Sequence, residues 1–106
     1  MTFTIAFNYG GRAELVDAVR ALVDEGVPAS KIDEKAIAAH LYDPDMPDPD
    51  LIIRTSGENR LSNFLVWQAA YSEFLFLDSL WPDFDRTSVY DAVREYQHRS
   101  RRFGAL

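Results

Sequence analysis

Apolar and polar positions along the chain switch between two spacings. Residues 2–7 (TFTIAF) are rich in aromatic and β-branched side chains and stop at Asn8-Tyr9-Gly10-Gly11, which predicts a strand running into a tight turn. From Arg12 the spacing lengthens. Leu15, Val16, Val19, Leu22 and Val23 recur at helical intervals until Gly26 and Pro28 end the run. Asp33 is placed to cap a short helix through Ile37 to Leu41. Residues 43–50 mix aspartate with proline and suit neither a helix nor an inner strand, so an exposed loop is expected.

Leu51-Ile52-Ile53 is a short apolar run of the kind found in strands covered on both faces, and Arg54-Thr55-Ser56-Gly57 ends it. Residues 61–71 read as a helix, residues 73–77 (EFLFL) as a third strand, and Trp81-Pro82-Asp83-Phe84 as a packed turn. A last helix is expected from about Thr87, with Val89, Val93 and Tyr96 on one stripe. Strands alternating with helices predict an α/β fold, here a partial parallel sheet with flanking helices. Ligands of such sheets sit at the carboxyl ends of the strands.

Composition narrows the classes. A chain of 106 residues suits one domain, and folding at that size buries roughly two thirds of the surface of the unfolded chain. The content of 47% hydrophobic residues is that of a folded chain rather than a disordered one. A net charge of -6 provides no general field for nucleic acid or an anionic membrane, so any anion site must be local. Cysteine is absent, which removes disulfides and thiolate chemistry and makes the cytoplasm the expected compartment. The first apolar stretch, residues 3–7, is far shorter than the ~20 residues of a membrane span, and no basic region precedes it; neither secretion nor membrane insertion is expected.

The candidate chemistry lies in residues 50–71, DLIIRTSGENRLSNFLVWQAAY. A buried strand would deliver Arg54 to its carboxyl end, a glycine loop follows, and Arg60 and Ser62 fall where the next helix is expected to begin. Guanidinium forks bind phosphate oxygens through paired hydrogen bonds, and helix N-termini favour anions. Two arginines, a hydroxyl and a helix end therefore suit a diphosphate. The same spacing also admits a structural network in which Arg54 and Arg60 pair with Glu58 and Glu73.

Other features point to bland roles. The aspartates at 43, 45, 48 and 50 lie among prolines that prevent the turn of an EF-hand, so a solvated loop is expected. His40 has no second ligand nearby in sequence and His98 sits among arginines, which makes both surface or cap residues. Trp67, Tyr71, Phe74 and Phe76 are expected in the core rather than around a lipid chain.

The run RTSGExRLSNFLxWQxAYxE, continued by Phe76 and Trp81-Pro82-Asp83-Phe84, resembles the C-terminal signature of the cis-prenyltransferases, which include undecaprenyl and decaprenyl diphosphate synthases. Asn8-Tyr9-Gly10-Gly11-Arg12 resembles a second block of that family, and Arg102-Phe103-Gly104 its terminal Arg-x-Gly. Three blocks in family order cover essentially the whole chain, a far more specific signal than one short glycine motif.

The resemblance implies that Arg54, Arg60 and Ser62 bind the diphosphate of isopentenyl diphosphate, with Ser62 also polarising the substrate during proton loss. It implies that Glu73 supports a Mg²⁺ and diphosphate site, and that Arg102 and Gly104 reach the diphosphate site of a second subunit in a homodimer. The implied reaction joins isopentenyl diphosphate to an allylic diphosphate, with Mg²⁺ assisting the leaving group.

Asn59 stands where many bacterial members carry histidine and is not assigned as a metal ligand. No Asp-Gly-Asn, the family's Mg²⁺ motif, occurs in the chain. Residues 1–106 are accordingly read as a C-terminal portion of the family domain, inactive alone and self-associating. The alternative functions are a non-catalytic partner that lends its Arg-x-Gly tail to another prenyltransferase and an unrelated phosphate-binding α/β domain.

Overall fold

A computed structural model describes residues 1–99. The chain forms two compact units, one of residues 1–47 with 62–67, the other of residues 48–61 with 68 onward.

In the first unit, helix α1 (Gly11–Asp24) packs on the short helix α2 (Glu34–Ala39). α2 begins at the expected cap: the Ala36 N–H donates to Asp33 Oδ1 at 2.8 Å. α1 buries Gly11, Glu14, Ala18 and Leu22, three or four residues apart. The helical period was legible but its phase was not, since Val16, Val19 and Val23 are exposed. An apolar count overlooks Glu14, which occupies the buried face because its carboxylate is satisfied there. Tyr9 Oη–H donates to Oε1 (2.5 Å) and the Tyr42 N–H to Oε2 (3.0 Å).

The strand expected at residues 2–7 does not form. Phe3, Ile5 and Phe7 are 75–91% exposed, and among the described residues no strand lies beside them to complete a ladder. Propensity alone does not make a strand.

The second unit holds a parallel pair, β1 (Leu51–Arg54) and β2 (Glu73–Phe76), in register from Leu51 opposite Glu73 to Arg54 opposite Phe76. Among the described residues two strands are present where three were expected, and the α/β class stands. Helix α3 (Arg86–Gln97) opens with a capping box, in which Asp85 Oδ1 accepts from the Ser88 N–H at 3.0 Å and Ser88 Oγ receives the Asp85 N–H at 3.3 Å. It buries Ala92, while Val89 and Val93 are exposed, so the expected apolar stripe is not its inward face. Ser88, Asp91, Ala92 and Glu95 instead line an open groove with Leu75 and Leu77. The turn at Trp81–Asp83 packs Trp81 on Phe84, with ring centroids 5.2 Å apart and planes 10° from parallel.

Residues 61–71 are not a helix. They form successive turns in which Ser62 (φ 54°), Asn63 (64°) and Leu65 (48°) are left-handed. A right-handed helix has no place for such residues.

Candidate functional site

β1 carries Arg54 to its carboxyl end, where the chain turns through Ser56 (φ 66°) and Gly57 (φ 70°). Main-chain bonds hold this turn against the segment that follows β2. The Leu77 N–H donates to the Arg54 carbonyl (2.8 Å), the Gly57 N–H to Leu77 (2.9 Å) and the Ser56 N–H to Ser79 (2.8 Å). The Arg54 side chain is half-buried and has no hydrogen bond or ion pair among the described residues. A guanidinium in that setting has hydrogen-bonding capacity left for an anion.

Arg60 is exposed, and its Nε lies 3.4 Å from Glu58 Oε2 with the two side chains 77% and 46% accessible. An ion pair so open to water contributes little and leaves the guanidinium able to change partners. Glu73 faces neither arginine. Its carboxylate lies 3.6 Å from Arg99 Nη1, which also donates to the Phe74 carbonyl, while Arg99 Nε lies 3.5 Å from Glu95. Of the structural network suggested by spacing, the Arg60–Glu58 contact is present and the pairing of Glu73 with Arg54 or Arg60 is not.

Ser62 belongs to the first unit, Arg54 and Arg60 to the second. Ser62 is exposed, and the helix N-terminus expected beside it is absent because residues 62–65 are turns. The adjacent Asn63 instead caps α1. Its carbonyl accepts the Gly11 N–H (2.7 Å) and its Oδ1 the Arg12 N–H (2.9 Å). Arg102 and Gly104 lie outside the described residues.

Beneath this turn, Tyr9 meets Phe64 and Tyr42 edge-on, with centroids 5.7 and 6.2 Å away. Burial, reinforced by the hydrogen bond to Glu14, pushes the Tyr9 hydroxyl up to about 12. The Tyr42 hydroxyl, bonded to Asp17 at 2.5 Å, is also raised by that bond. Both tyrosines are therefore donors at neutral pH. Tyr9, Glu14 and Asn63 were missed as organising residues. A signal was available: Gly10 occupies the N-cap of α1 and has no side chain to cap it, so the cap must come from elsewhere.

His40 and His98 stand at helix C-caps, as their settings suggested. Among the described residues no three Asp, Glu, His or Cys side chains gather to hold a metal ion. Glu73 offers one carboxylate already beside an arginine, whereas Mg²⁺ needs about six oxygens in near-octahedral array; the described residues do not make a Mg²⁺ site. Among them, too, no helix is long and apolar enough to cross a membrane.

The fold and these residues define an α/β protein with an arginine and a left-handed Ser-Gly turn at the carboxyl end of a parallel strand. Residues 1–104 match the profile of the prenyltransferase family described as undecaprenyl diphosphate synthase. An isoprenyl transferase of Thermotoga maritima is 55% identical over 108 aligned residues, covering 100% of this chain and 46% of that protein. Decaprenyl diphosphate synthase of Mycolicibacterium smegmatis is 53% identical, covering 98% and 37%.

Among solved structures, lavandulyl diphosphate synthase of Lavandula x intermedia, in complex with dimethylallyl diphosphate, superposes with a TM-score of 0.83 at 42% identity. The superposition covers 91% of this chain and 43% of that one. A structure from Campylobacter jejuni gives 0.81 at 31% identity, covering 93% and 45%. The chain belongs to the cis-prenyltransferase family of polyprenyl diphosphate synthases. It spans less than half the length of these relatives.

Proposed function

We propose that this chain is the isopentenyl diphosphate-binding and dimer-forming portion of a polyprenyl diphosphate synthase, acting in the cytoplasm. The observation that carries the reading is the Arg54 guanidinium: half-buried at the carboxyl end of β1, without a partner among the described residues, in a chain matching the family over residues 1–104. Arg54 and Arg60 bind the diphosphate of isopentenyl diphosphate, and the Ser62 hydroxyl donates to it and polarises the substrate as a proton leaves. Charge-assisted bonds of this kind fix the substrate while the allylic partner is aligned.

Arg102 and Gly104 extend to the site of a second copy in the homodimer. Mg²⁺ is the proposed cofactor of the complete catalyst, where it would stabilise the charge leaving with the allylic diphosphate; Glu73 would lend one carboxylate to a site that the described residues do not complete. Because the described residues gather no three candidate ligands, this chain alone is expected to form no detectable long prenyl diphosphate from farnesyl diphosphate, labelled isopentenyl diphosphate and Mg²⁺.

The test is calorimetric titration of isopentenyl diphosphate into the chain and its variants. A charge-assisted hydrogen bond contributes about 1.5–3 kcal/mol, so Arg54→Ala and Arg60→Ala should each weaken binding by at least about tenfold. Unchanged affinity in both variants would return the arginines to a structural role.

A further inference from the structure

The block Asn8–Arg12 and the turn at Ser62 are 51 residues apart in sequence, counted from Arg12 to Asn63, yet they are fitted to each other atom by atom. Three observations meet there. α1 starts on a residue with no capping side chain, and Asn63 supplies both missing acceptors, its carbonyl to the Gly11 N–H and its Oδ1 to the Arg12 N–H. Neither N–H has an intrahelical acceptor, being among the first of the helix.

The two glycines make room for the contact. A Cβ on Gly11 would lie 2.6 Å from Val66 Cγ2 and 3.0 Å from the Asn63 carbonyl oxygen, and one on Gly10 would lie 3.1 Å from Asn63 Nδ2. Here glycine is required by close approach, since neither residue has positive φ. The third observation is the backbone of the turn itself. Ser62 and Asn63 are both left-handed, a conformation that costs energy in residues other than glycine and persists only where neighbouring contacts hold it. Asparagine tolerates it better than most residues.

We propose that Asn63 is a positioning residue: by capping α1 on the Gly10-Gly11 platform it locks the left-handed turn that presents the Ser62 hydroxyl. This rests on the reading of Ser62 as a diphosphate contact. Asn8–Arg12 then serves as the dock for Ser62 rather than as a ligand site of its own.

Amide exchange measured by NMR on the intact chain, with calorimetric titration of isopentenyl diphosphate well below the unfolding temperature, tests the proposal. Asn63→Gly keeps the left-handed backbone and the carbonyl acceptor of the Gly11 N–H and deletes only Oδ1, the acceptor of the Arg12 N–H. It should speed exchange of the Arg12 amide at least fivefold and weaken isopentenyl diphosphate binding at least threefold. Asn63→Asp keeps an acceptor at the same position and should restore Arg12 protection.

Unchanged Arg12 exchange in Asn63→Gly would overturn the proposal. So would faster exchange with unchanged affinity in Asn63→Gly, if Ser62→Ala does weaken binding. If neither Ser62→Ala nor Asn63→Gly alters affinity, the reading of Ser62 fails separately, and exchange of the Ser62 amide decides the dock. Acceleration in Asn63→Gly supports it; no change overturns it.

Discussion

The turn after β1 and the turn at Ser62 use the same backbone device and secure it by opposite means. Each sets two successive residues in the left-handed region, Ser56 with Gly57 and Ser62 with Asn63. The first is clasped by main-chain groups alone, through Ser79, Leu77 and Arg54. The second has one main-chain bond, from the Gly11 N–H to the Asn63 carbonyl, and depends besides on an asparagine side chain and on two positions where a side chain is missing. A main-chain clasp tolerates any residue that accepts its backbone angles. A side-chain clasp is written into particular residues and fails when one of them changes.

The largest expected effect falls on the second turn. Gly11 is buried, and the Cβ of Gly11→Ala would be forced against Val66 Cγ2 and two main-chain atoms. Overpacking of that kind costs about 1–3 kcal/mol, and in a domain of this size each kcal/mol moves the thermal midpoint by about 4–8 °C. Thermal unfolding followed by circular dichroism measures it, and a midpoint equal to that of the parent chain would show that the turn at Ser62 does not need a bare Gly11.

Gly57→Ala should cost less. Its φ of 70° is strained for alanine, but the nearest atom to an added Cβ is Asp78 Oδ1 at 3.6 Å, an ordinary contact. Only the backbone term of about 1–2 kcal/mol remains. Urea unfolding of the two glycine variants side by side measures the difference, and a greater loss at Gly57 would make the turn after β1 the more sensitive of the two.

The far end of α1 gives the smallest effect. His40 Nδ1 faces the Ala36 carbonyl (2.7 Å) and Nε2 faces Glu25 Oε2 (2.5 Å), so both ring nitrogens meet acceptors and the imidazolium is favoured. The backbone bond first, and then Glu25, raise its pKa above 6.5. Such a group stabilises fully below pH 6.5, and its contribution is lost as pH rises through the raised value. Because Glu25 is 57% exposed the loss should be slight. Urea midpoints across neutral to mildly alkaline pH should decline for the parent chain, and His40→Gln should remove that decline.

What the sequence made legible was local. Asp33 capped its helix, Leu51-Ile52-Ile53 and Glu73 to Phe76 became parallel strands, and the prolines of residues 43–50 kept that stretch irregular. What it hid depends on distant partners. Residues 61–71 have helical spacing, but the bonds from Asn63 to the start of α1 draw residues 62–65 into turns. The phase of α1 was hidden because its buried face includes Glu14, whose carboxylate is satisfied there by donors that include Tyr9 and Tyr42. Arg54 was found as a candidate because a strand end is a local signal. Asn63 was not, because its role exists only in contact with Gly11 and Arg12.

The unpaired segment at residues 2–7 also governs how the chain behaves in a test tube. It is six residues of high β-propensity with no charge and no proline, and Phe3, Ile5 and Phe7 stand open to water. Unladdered backbone beside bare aromatic rings is a template for like-with-like stacking between molecules, the route to cross-β fibres. Colloidal stability then rests on the excess of acidic groups, which weakens as salt screens them or as acid approaches the isoelectric point near 4.7. Dilute, low-salt, mildly alkaline buffers are therefore expected to limit its aggregation.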